Sequence, residues 1–166
     1  NSKVLTLTNA FEIPSSQSME LVGTDNGTLV LENQLNLSGI LKFSAPDTLS
    51  NGILALNGGT LNVNENSNII SEITHLDDST INVIADKTIT YSGSALEIGG
   101  FTLTLTGGGI FANNTDLKFN QPNSVLNFDG IGEVSKVSFP VSLQTGKLNV
   151  IQNAKIKKLT DAGDAI

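Results

Sequence analysis

The residues of this 166-residue chain best suited to chemistry are its single histidine, His75, and the two carboxylates that follow it, Asp77 and Asp78. A histidine beside acids can hold a metal ion or pass a proton. One histidine with acids two and three residues later is not a metal-ligand spacing, so this stretch reads as a polar turn. Paired carboxylates at a fixed separation cleave glycosidic bonds, and Asp77, Asp78, Asp116 and Asp129 all neighbour turn-forming residues. Sugar-cleaving sites also offer aromatic platforms and basic groups. Here Tyr91 stands alone, with no Trp and no Arg. The absence of Cys removes thiolate catalysis and cysteine-based metal sites. The expectation is therefore no catalytic residue, no cofactor and no metal.

Composition narrows the partners. The chain carries nine Lys against sixteen acids, a net charge of -7. Nucleic acids are bound largely by Lys and Arg neutralising phosphates, so nucleic acid is excluded as a partner. Anionic membrane surfaces are disfavoured for the same reason. No apolar run approaches the roughly 20 residues that span a bilayer, so no membrane insertion by this segment is expected. The start at Asn1, without Met or a signal peptide, reads as a processed or excised piece of a longer protein, with a single domain cut out by design as the alternative.

The elements that would position any site follow from a repeat. Apolar-x-apolar triplets, the core of half-buried strands, recur as Leu41-Lys42-Phe43, Leu61-Asn62-Val63, Ile81-Asn82-Val83, Leu103-Thr104-Leu105, Leu126-Asn127-Phe128 and Leu148-Asn149-Val150. A second series runs Leu49, Ile69, Ile89, Ile110, Val134, Ile156, and a third Ile53, Ile73, Leu96, Leu117, Val141. Steps within all three are 20 to 24 residues. Gly-, Asn- and Ser-rich turns separate the triplets.

Three interleaved series with one period predict an all-β fold, a right-handed single-stranded parallel β-helix or β-solenoid. Each coil of about 22 residues would hold three short strands, and roughly seven coils would stack about 4.8 Å apart. Residues 28–158 form the predicted β-helix. Residues 1–27 are a less regular strand, loop or capping coil around Pro14, and 159–166 an irregular tail or the start of a further coil. The polar middle residues would face outward as one row, with Asn62, Asn82, Thr104, Asn127 and Asn149 forming a ladder or binding face. Thr60, Thr80 and Thr102 would align beside it, and Glu97 and Lys118 would pair one coil apart.

This pattern of short Leu/Ile/Val strands, Asn/Gly/Thr turns, no Cys and acidic charge resembles the β-helical passenger or stalk regions of bacterial surface adhesins and autotransporters. The resemblance covers about residues 28–158. It implies a non-catalytic structural or adhesive segment of an exported protein, extracellular or on the bacterial cell surface. The partners implied are a host or cell-surface protein, a carbohydrate, or the chain itself through end-to-end or lateral assembly. A self-assembling extracellular filament subunit and a carbohydrate-active β-helix enzyme are the alternative expectations.

Overall fold

The computed structural model describes residues 3–22, 26–119, 121–139 and 146–161. Their regular elements are all strands. The first nine are β1 (Val4–Leu7), β2 (Phe11–Ile13), β3 (Ser18–Leu21), β4 (Thr28–Leu31), β5 (Gln34–Leu37), β6 (Ile40–Phe43), β7 (Thr48–Ser50), β8 (Ile53–Asn57) and β9 (Thr60–Val63). The chain continues through β10 (Ser67–Ile69), β11 (Glu72–Asp77), β12 (Ser79–Val83), β13 (Thr88–Tyr91), β14 (Leu96–Glu97) and β15 (Thr102–Thr106). It ends with β16 (Ile110–Asn113), β17 (Leu117–Lys118), β18 (Ser124–Asp129), β19 (Glu133–Phe139), β20 (Gly146–Val150) and β21 (Lys155–Asp161).

Every strand pair is parallel, and from β1 to β16 each strand except β11 pairs with the one three places later, while β17 pairs with β19, β18 with β20 and β19 with β21. Parallel neighbours need a long crossover, and here the rest of the coil supplies it. The result is a β-solenoid of about seven turns some 22 residues apart. Its sheets have ten, four and seven strands. The four-stranded sheet, β2-β5-β8-β11, stops at β11, because β11 does not pair with β14. The first strands, β1, β2 and β3, already stack in register beneath β4, β5 and β6.

Alternation along each strand sends every second side chain into the column. Leu35, Leu37, Leu41, Phe43, Leu61, Val63, Ile81, Val83, Leu103, Leu105, Leu126 and Phe128 are fully buried. Full burial of each is worth roughly 1.5–3 kcal/mol. A single coil has nothing to cover these side chains, so the stack is the folding unit.

Registers in all three series differ from the spacing read off the sequence. Ile81 lies against Leu105, two residues beyond Leu103. A shift of two keeps the same face inward, so the inward pattern does not choose between these registers; the corner does. Gly107 adopts φ 100° there, and a Cβ on it would sit 2.4 Å from the Val83 carbonyl oxygen. Gly109 donates its N–H to the same carbonyl at 2.9 Å. In the second series, Tyr91 lies against Ile69, and Phe111 rather than Ile110 lies against Ile89. In the third, Leu54 rather than Ile53 lies against Ile73, because the Asn51–Gly52 corner, at φ 58° and 47°, delays the inward phase by one residue. Val141 lies outside the described residues, as do 162–166.

These faces are testable. Ile81→Asp or Leu103→Asp places an unpaired charge inside the column and should abolish the cooperative thermal transition followed by circular dichroism. Thr104→Ser, on the outward face, should shift stability by no more than about 0.5 kcal/mol. Equal tolerance at both kinds of site would contradict the assignment.

Candidate functional site

The outward Asn and Thr side chains form two short ladders rather than one row. Asn62 and Asn82 face each other across β9 and β12, and Asn82 Nδ2 donates to Asn62 Oδ1 at 3.0 Å. Asn149 Nδ2 donates to Asn127 Oδ1 at 2.8 Å, and Asn127 Nδ2 to Thr104 Oγ1 at 3.4 Å. The two-residue register shift separates the ladders: Asn82 lies against Thr106, and Thr104 against Thr80. The threonine column is therefore Thr60, Thr80 and Thr104, while Thr102 lies against Val125.

Charged side chains follow the same direction. Lys42 Nζ lies 2.8 Å from Glu20, Lys87 2.7 Å from Glu65, Lys118 3.7 Å from Glu97 and Lys155 2.8 Å from Glu133. Each of these pairs joins neighbouring coils. Lys42 and the Ser44 hydroxyl hold the Glu20 carboxyl below the usual carboxylate range, and Lys155 does the same for Glu133. The Glu97–Lys118 pair was legible in the spacing. The others were legible too, as opposite charges one period apart.

The histidine corner differs from the sequence expectation. His75 is no turn residue. It is an inward residue of β11, stacked on Leu56 and 6% exposed. Neither ring nitrogen has a hydrogen-bond partner, and the ring meets Phe101 edge-on at 6.2 Å between centroids. Burial pulls its pKa down, against weaker upward pulls from the Thr102 backbone, Asp78 and Asp77. The two acids are exposed on the adjoining corner. Asp78 Oδ1 accepts the Thr102 N–H at 2.6 Å, and Asp77 Oδ1 accepts the Asp78 N–H at 2.8 Å. They serve the backbone of the corner. Asp129 accepts from Gln152 Nε2 at 2.9 Å, while the Asp116 main-chain carbonyl accepts from Leu96. Among the described residues no three His, Asp or Glu side chains converge as a metal site.

Two hollows lie at the first coil, away from His75. One of about 260 Å³ is lined by Lys3, Val4, Leu5, Glu20, Leu21, Val22, Gly27, Thr28, Leu29 and Asp47. The other, about 330 Å³, lies along Phe11–Pro14 and Gln17–Met19. Asp47 was not singled out by sequence reasoning. It is buried, accepts the Gly27 N–H through Oδ1 at 3.0 Å, and has no partner on Oδ2. Its position two residues before inward Leu49, on the same face, is the signal that could have found it.

The split ladder has a measurable signature. Asn127→Ala removes both bonds of its ladder and should cost about 1 kcal/mol in urea unfolding. Paired with Asn149→Ala the losses should be non-additive, whereas paired with Asn82→Ala they should add within about 0.5 kcal/mol. Coupling between Asn82 and Asn127 would contradict the register described above.

No family model matches the chain, and no curated protein or solved structure matches it either. The functional reading therefore starts from the geometry of the column itself.

Proposed function

We propose that the chain is a structural or adhesive segment of an exported bacterial cell-surface protein, a non-catalytic column that presents its faces to a host or cell-surface protein or carbohydrate. On this reading it is wound as a right-handed helix with three strands to each coil, the hand that parallel crossovers favour. The observation that carries the proposal is the direction of the outward chemistry. Amide ladders and Lys–Glu pairs run from coil to coil along the column. Each is worth little singly, but repetition along one axis stiffens a spacer.

Fractionation of the source cells with an antibody to this chain tests the placement. Recovery in the surface or extracellular fraction is expected, and recovery confined to the cytoplasm would overturn it. A panel of acidic and neutral polysaccharides tests the enzymatic alternative. No turnover is expected, and turnover abolished by Asp77→Asn, Asp78→Asn or Asp116→Asn would replace this reading with a carbohydrate-active enzyme.

A second reading, end-to-end assembly, is favoured by exposed apolar side chains on the first and last strands: Val4, Leu5 and Phe11 at one end, and Val150 and Leu159 at the other. Electron microscopy of the purified chain at high concentration would show filaments on this reading, and strictly monomeric particles would dismiss it.

A further inference from the structure

We propose that the boundary between β11 and β14 is an acid-opened joint in the column, with His75 as the group whose protonation opens it.

Four observations converge on this boundary. First, it is the place where strand pairing lapses: β11 pairs with β8 below but has no pairing with β14 above. Second, the adjoining sheet changes register by two residues across the same level, between β12 and β15. Third, a side chain stands in for a missing ladder bond. The Tyr91 hydroxyl, on a fully buried ring, accepts the Ile73 N–H at 3.4 Å. An added Cβ at Gly93 would lie 2.7 Å from that hydroxyl and 2.6 Å from the Ser71 carbonyl oxygen. Fourth, polar groups are left without partners there: both His75 ring nitrogens and the buried Ser71 hydroxyl. Among the described strands from β1 to β16 this is the one level where the ladder to the next coil lapses, which makes it a natural place for a one-dimensional array to open.

The groups around His75 set the response. From β8 the ring meets Leu56, and from the corner above it meets Phe101. Both are apolar, and the Thr102 main chain, the one neighbour on the corner above that favours an imidazolium, is outweighed by burial. The charged groups nearby are Glu72 and Asp77 on β11, Asp78 on the corner and Glu97 on β14, all exposed. Asp77 and Asp78 are occupied by main-chain N–H groups. A proton on His75 therefore brings a charge into an apolar pocket. Opening the joint returns the ring to water.

The direction follows from linkage. Burial holds the closed-state pKa below the ordinary 6.5, and the open state regains it. Above pH 6.5 both states are neutral and pH has no effect. Below it the open state takes up the proton first, so opening grows more favourable as pH falls, by at most about tenfold per pH unit. The gain levels off once pH drops through the closed-state value.

Hydrogen exchange read by mass spectrometry, corrected for the intrinsic pH dependence of exchange, tests this on the whole chain. Between pH 7.5 and 5.5 segments 72–78 and 96–102 should lose up to about tenfold in protection, while 29–43 keep theirs. In His75→Leu the loss should vanish, and in Asp78→Asn it should persist. Unchanged protection in the wild type, uniform loss along the column, or the same loss in His75→Leu would overturn the joint. If His75→Leu does not fold, the imidazole proton shifts of the wild type decide by NMR. A midpoint below 6.5 that tracks the loss of protection supports the joint, and a midpoint at or above 6.5 overturns it.

Discussion

Each strand of a parallel stack satisfies its main-chain N–H and C=O groups through the strand above and the strand below, and the rest of this structure depends on that obligation. Strands β4 to β10 meet it on both sides with backbone alone. Corner residues join in, as when Thr28 donates to the Lys3 carbonyl and Thr48 to that of Gly27, both at 2.9 Å. Where the ladder lapses, something else must serve. Above β11 the substitute is a phenol, an acceptor of fixed reach on a ring that stacks at 6.4 Å on Phe111 of the next coil. A loss of regularity in the backbone thus becomes a demand on particular side chains.

The same obligation explains what could be read in advance. Parallel stacking forces each column to repeat its inward residues, so triplets such as Leu61-Asn62-Val63 and Ile81-Asn82-Val83 announced both the fold and the faces. Reading failed where alternation is absent. Ile53-Leu54-Ala55-Leu56 is apolar throughout, and Ile110-Phe111-Ala112 likewise, so neither run shows which residue turns inward. A one-residue error there inverts the face. His75 was missed for another reason. Ile73-Thr74-His75 carries the inward alternation plainly, but a titratable residue followed by two aspartates suggests solvent. The polar middle residues can be listed from the alternation, yet their grouping depends on corner geometry at Gly107, which periodicity does not encode.

Outward and inward chemistry divide the labour. Inside, Leu, Ile, Val and Phe supply burial that resists water. Outside, short amides, hydroxyls and ion pairs bind each coil to the next with bonds that are individually weak and screened by salt. The exposed pairs Lys42–Glu20 and Lys155–Glu133 hold carboxylates that ionise more readily than usual. Axial cohesion is thus graded, firm in the core and adjustable at the surface.

The stand-in phenol has one more consequence. Tyr91 is the only tyrosine, and there is no tryptophan. The near-ultraviolet absorbance and intrinsic fluorescence of the chain therefore originate chiefly from a single ring at a single boundary, with phenylalanine contributing little. Burial raises the phenol's pKa, so phenolate absorbance in alkali would emerge late while the ring stays covered. The molecule carries its own optical gauge, and it reads a level of the column where the backbone ladder is incomplete.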